Sequence, residues 1–142
     1  MTEQSLKYLI DVLKEETPGE NAEWYETLGF LECHRTAGLF YCRAKELGLK
    51  LPPKIEKLLS ERYEAQVRRN RFMRKWIEDI SEELQGEDVE HIFLKGSVLS
   101  NAMGGGKKSF YREGERVSND IDVLVRTEDV GKVGKVLKEM GF

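Results

Sequence analysis

The sequence predicts an α+β fold: a helical first half, then a strand–helix–strand–helix (βαβα) segment carrying a small mixed sheet. Three observations predict it. Apolar residues recur at helical spacing through most of the chain up to Leu84. Two short apolar runs, HIFL at 91–94 and IDVLV at 121–125, have the β-branched and aromatic composition of strands. Glycine is concentrated between those runs, in GGG at 104–106. The expected division is a helical region over 1–86 and a sheet-bearing core over 87–142.

Taken in order, Leu6, Leu9, Ile10 and Leu13 mark the buried face of a first helix, which TPG at 17–19 should stop. A second helical region is expected from Ala22 to Leu47, bent near Gly29 or Gly38, with Trp24, Leu28, Leu31, Leu39, Phe40 and Leu47 on its apolar side. Pro52 and Pro53 break the chain and open another helix, since proline suits a first turn. That helix is expected from Lys54 to Leu84, roughly 45 Å at 1.5 Å per residue, ending at QGED, 85–88. HIFLKGS then reads as a strand entering a glycine turn, with a helix beginning in SVLSNAM. A loop follows over GGGKKSFYREGERVSN, with a hairpin near Phe110 and Tyr111. After the second strand, Thr127 is placed to cap a closing helix, and Glu128 and Asp129 suit its positive end.

At 142 residues the chain is one domain, or two small subdomains. Its net charge of -3 argues against wholesale nucleic-acid binding, so a basic site must be local. No apolar run approaches the roughly 20 residues that span a bilayer. The first residues, MTEQSLKYLIDVLKEE, lack the basic and small-residue features of a secretory signal. Cys33 and Cys42 form neither a disulfide framework nor a zinc motif, and a cytoplasmic location with reduced thiols is expected.

The stretch that carries chemistry is SNDIDVLVR, 118–126. Its apolar residues suggest a strand packed on both faces, and alternation puts Asp120 and Asp122 on one side. Two such carboxylates repel unless a cation lies between them. Mg²⁺ suits the pair, because it takes one or two carboxylates together with phosphate oxygens and water. The plainer alternative is a solvated strand end. Upstream, Gly96 and Ser97 lie where a strand turns into a helix, where backbone N–H groups favour an anion. In isolation those two residues read equally as a glycine turn with a serine N-cap. Taken together, one element suits phosphate and the other suits metal.

These residues resemble a known group. Gly-Ser followed by D-I-D-V-L-V is similar to the nucleotidyltransferase superfamily typified by polymerase beta. More closely, LKGS…R…NDIDVLV…VLKEMGF resembles an uncharacterised nucleotidyltransferase family with the pattern LKG…R…DIDLLV. The resemblance extends upstream through HRTAGLFY, LPPKI and RNRFM. It implies that Asp120 and Asp122 ligate Mg²⁺ and form the catalytic pair. It implies that Gly96 and Ser97 hold the β- and γ-phosphates of a nucleoside triphosphate such as ATP, with Lys95 and Arg116 at the basic positions. The implied reaction transfers a nucleoside monophosphate to an acceptor hydroxyl, with pyrophosphate leaving. The superfamily's third carboxylate lies on a strand after the next helix, which the sequence does not reach, so a partial nucleotidyltransferase core is expected. The alternative is a non-catalytic nucleotide-binding or antitoxin-like interaction module, pairing as a homodimer through an open sheet edge. The acceptor and the base stay open.

Other signals are weaker. GGGKKS fails the P-loop pattern, since Lys108 stands where Ser or Thr is needed. RRNRFMRK, 68–75, concentrates five positive charges, which suits an RNA contact less well than a solvated helix face paired with Glu61, Glu64 and Glu78. His34 and His91 have no partner legible in sequence and read as structural. Trp24, Trp76, Phe40 and Tyr41 read as core.

Overall fold

The computed structural model describes residues 2–19, 22–95 and 111–142. Helices α1 (Glu3–Leu13), α2 (Trp24–Cys33), α3 (Ala37–Glu46) and α4 (Pro53–Gly86) precede strands β1 (His91–Leu94) and β2 (Asp122–Val125). A single 3₁₀ turn, Thr127–Asp129, leads into α5 (Val130–Glu139). The chain is therefore α+β and mainly helical. Among the described residues, no helix is long and apolar enough to cross a membrane.

Compactness divides the chain into one unit of 1–68 with 111–117 and another of 69–110 with 118–142. In the first unit, Leu9, Val12, Leu31, Phe40, Ala44, Leu51 and Leu59 form a buried core. The aromatic residues read as core from the sequence behave accordingly there. Phe40 is fully buried, and Trp24 packs edge-on to Tyr8 with ring centroids 5.6 Å apart. Residues 111–117 lie close against α3: a Cβ on Gly38 would stand 2.0 Å from the Gly114 carbonyl oxygen. One on Gly114 would stand 2.4 Å from the Tyr63 ring. Both glycines are needed for this approach, which no other residue allows.

The helix ends correct the sequence reading. The helical region expected over 22–47 is two helices, and the break falls at neither Gly29 nor Gly38. It falls at Arg35, which takes φ +55° while the Thr36 N–H reaches back to the Leu31 carbonyl at 2.9 Å. That five-residue reach is the Schellman closure, which needs a left-handed residue just past the helix. The same closure ends α1 at Glu15 (φ +65°), with Glu16 donating to Asp11, so the helix stops before TPG. It ends α4 at Asp88 (φ +56°), with Val89 donating to Leu84. Helices α3 and α5 close identically on Gly48 and Gly141, the residue type normally expected there. Helix α4 has 34 residues, about 51 Å at 1.5 Å per residue, slightly longer than expected at both ends.

In the second unit, β1 and β2 pair antiparallel, with His91 opposite Val125, Ile92 opposite Leu124, Phe93 opposite Val123 and Leu94 opposite Asp122. Phe93, Ile121, Val123 and Val125 pack onto a core of Ile80, Leu84, Val89, Val133 and Val136. The opposite face is open, with Ile92 61% and Leu124 54% exposed. This corrects the expectation of a strand packed on both faces: β-branched composition marks a strand but does not count its covered sides. Thr127 does not cap α5 either. It opens the 3₁₀ turn, and α5 begins after Asp129 without a side-chain cap.

His91 has partners that the sequence did not reveal. Its Nδ1 lies 2.9 Å from the Val89 carbonyl, an acceptor only, so Nδ1 carries the hydrogen. Nε2 then accepts from Ser81 Oγ at 2.9 Å, and Gln85 Nε2 donates to the same hydroxyl at 3.2 Å. The chain of bonds ties the start of β1 to α4, which is the structural role expected of His91. His34 stacks on Phe30 at 4.0 Å between ring centroids. In the basic run, Lys75 pairs with Asp79 at 2.5 Å, and Asn70 is fully buried.

Candidate active site

Antiparallel register builds the site. Leu94 is the last residue of β1 and lies opposite Asp122, the first residue of β2. The next residue, Lys95, turns away from the strand with φ +58°. Its ammonium lies 3.1 Å from Asp122 Oδ2, forming an ion pair. Asp122 is half-buried at the strand start, while Lys95 and Asp120 are exposed.

Asp120 precedes β2, so strand geometry alone does not orient it. Asn119, Ile121 and Val123 all border a cavity of about 310 Å³, together with Trp76, Leu137 and Phe142. Ile121 and Val123 also pack onto the core of this unit, whereas Asn119 and Asp120 are exposed. Ser118, buried just ahead of the pair, donates from Oγ to the Asp120 carbonyl at 3.2 Å. That bond holds the backbone of Asp120 rather than its carboxylate. Sequence reasoning passed over Ser118, although a serine bonding two residues onward is a known local turn pattern.

The remaining sequence-predicted residues are placed separately. Arg116 belongs to the first unit, where its guanidinium lies 5.4 Å from the Tyr111 ring centroid and its carbonyl accepts from Gln66 at 3.5 Å. Gly96 and Ser97, the loop lysines Lys107 and Lys108, and Phe110 lie outside the described residues.

The first unit holds a second polar cluster that the sequence reading missed. Glu115 is buried and accepts the Arg112 N–H at 2.8 Å through Oε2. Burial pushes the Cys42 thiol above its ordinary range, and the nearby Glu115 charge adds to the effect. Burial likewise raises Tyr63, reinforced by Cys42.

Among the described residues, no group of three or more His, Cys, Asp or Glu side chains could hold a metal ion. Near the start of β2 the carboxylates are those of Asp120 and Asp122. Asp122 already pairs with a positive charge, the Lys95 ammonium. Two carboxylates with an open outer side fit a hard cation that completes its shell from phosphate and water.

A family model described as "Uncharacterised nucleotidyltransferase" matches residues 20–142, spanning α2 through α5 and both strands. The chain belongs to this family. No curated protein and no solved structure matches it. The family description assigns nucleotidyl transfer in general, and with it a nucleotide substrate. Nucleotidyltransferases as a class use divalent metals. The matched region contains Asp120, Asp122, Lys95 and Arg116, and it extends well upstream into the helical part.

Proposed function

We propose that this family member binds a nucleoside triphosphate with Mg²⁺ at Asp120 and Asp122 and transfers its nucleoside monophosphate to an acceptor hydroxyl, releasing pyrophosphate. One observation carries the reading: a half-buried Asp122 that already holds a cationic group 3.1 Å away, with the exposed Asp120 two residues before it.

In this reading Asp120 and Asp122 hold the cation, and Ser118 fixes the backbone that presents Asp120. Lys95 contacts a phosphate oxygen through a charge-assisted hydrogen bond. Gly96 and Ser97 hold the β- and γ-phosphates. Bound Mg²⁺ supplies charge neutralisation at the phosphoryl oxygens. The acceptor oxygen attacks the α-phosphorus and the bond to the β-phosphate oxygen breaks, pyrophosphate leaving and the hydroxyl proton passing to solvent.

Calorimetric titration with ATP, GTP, CTP and UTP, with and without Mg²⁺, tests this on the full chain. The expected result is Mg²⁺-dependent heat with at least one nucleotide, lost in Asp122→Asn. No heat with any nucleotide would overturn the reading. It would favour the interaction module instead, whose supporting observation is the exposed outer face of Ile92, Leu94 and Leu124.

A further inference from the structure

We propose that Lys95 is the resident counter-ion of Asp122 and is released to phosphate when a metal–nucleotide complex arrives, so that metal and nucleotide enter the site together. The proposal rests on the reading of Asp120 and Asp122 as cation ligands, and concerns how that site is kept before it is filled.

The sheet register brings the two residues close, and the turn at Lys95 completes the pair. With Leu94 opposite Asp122, the first residue beyond β1 stands beside the first carboxylate of β2. Lys95 takes a left-handed backbone conformation there, one normally left to glycine. From that position its ammonium reaches Asp122 Oδ2 at 3.1 Å.

Exposure is divided between the partners. The Lys95 side chain is 69% exposed and the Asp122 side chain 32%. The ammonium is therefore within reach of an incoming phosphate, while the carboxylate is partly shielded from water. Among the described residues Asp120 has no ion pair, so only one of the two carboxylates is neutralised internally.

This arrangement treats two ligands differently. A divalent cation arriving alone must displace the ammonium from Asp122 and leaves Lys95 with no new partner. A cation arriving on a triphosphate brings that partner with it, since a phosphate oxygen accepts from the ammonium. Lys95 thus opposes the first event and assists the second. The coupling is reciprocal, as any coupling between two binding free energies must be. Two carboxylates without the lysine would attract free cations directly. With it, the local charge is partly balanced until the substrate is present.

The consequence is a pair of effects with opposite signs. Lys95→Met keeps the aliphatic stem and removes the charge, and Lys95→Arg keeps the charge. Binding of Mn²⁺ alone is read from the spectrum of the free ion by electron paramagnetic resonance. Binding of the Mg²⁺ complexes of ATP, GTP, CTP and UTP is read by calorimetry. Lys95→Met is expected to bind Mn²⁺ about two- to fivefold more tightly, the scale of an exposed ion pair. The same variant is expected to lose about tenfold or more in affinity for the preferred Mg-nucleotide. Lys95→Arg should keep the wild-type Mn²⁺ affinity.

Unchanged or weaker Mn²⁺ binding in Lys95→Met overturns the counter-ion proposal. If Asp122→Asn still abolishes Mn²⁺ binding in that case, the carboxylate site itself stands. Mn²⁺ binding that survives in both Asp120→Asn and Asp122→Asn overturns the site and the proposal together.

Discussion

In the first unit Leu9, Leu31 and Phe40 are sealed from solvent, and two glycines are used to bring residues 111–117 against α3 and Tyr63. In the second, a two-stranded sheet covers one face and leaves Ile92 and Leu124 more than half exposed on the other. The difference sets closed packing in one unit against an open sheet face in the other. Closed packing makes every methylene count, whereas a half-open sheet tolerates change and presents its polar end to ligands.

The largest test of that contrast pairs Phe40→Ala with Leu124→Ser. Phe40→Ala removes a fully buried ring and is expected to cost about 3–5 kcal/mol of unfolding free energy. Leu124→Ser acts on an exposed position and is expected to stay within about 0.5 kcal/mol. Urea denaturation monitored by circular dichroism measures both. Comparable losses would mean that the outer face of the sheet is covered in solution.

A smaller effect concerns the helix ends. Arg35→Gly in the first unit and Asp88→Gly in the second relieve a left-handed L-residue without disturbing the backbone bond that closes the helix. Each is expected to raise the melting temperature, by a free energy of up to about 1 kcal/mol. The entropy that glycine adds to the unfolded chain keeps the gain below the full strain. Melting temperatures that fall in both variants would show that the strain is absent or that these side chains hold the turn by other contacts.

These same ends explain what the sequence made legible. Apolar periodicity revealed the helices, because burial of one face imposes it. It did not reveal where they stop, because Glu15, Arg35 and Asp88 adopt a conformation that sequence reading reserves for glycine. The two strands were legible from their β-branched residues, and their single covered face was not. At the candidate site, Asp120 and Asp122 stood out because charge in an apolar run is costly. The Lys95–Asp122 pair depends on cross-strand register, which links residues 27 positions apart by a pairing that no local pattern encodes. Ser118 was hidden because serine before aspartate is common in any turn.

The smallest effect separates the two cysteines. Cys33 is exposed and Cys42 buried, with burial holding the Cys42 thiol above its ordinary pKa of 9.0. Iodoacetamide at pH 8 is expected to label Cys33 first, with intact-mass analysis showing one adduct well before a second. The sign carries over to stability. As pH rises through 9 the unfolded thiol loses its proton before the folded one, so the Cys42 contribution weakens folding above that pH. Tyr8 and Tyr63, raised by burial, act in the same direction from about pH 10. Simultaneous labelling of both cysteines at pH 8 would mean that the first unit opens readily around α3.

The chain passes between its two compact units three times, at 68/69, 110/111 and 117/118. During synthesis the residues that form the core around Phe40 leave the ribosome early. The Gly38–Gly114 approach joins positions 76 residues apart and waits for most of the second unit to be made. The first unit thus acquires its last layer only after β1 has been translated, so a nascent chain halted before residue 111 presents α3 and Tyr63 without their cover. Neither unit is a contiguous segment, and no single cut in the gene separates them.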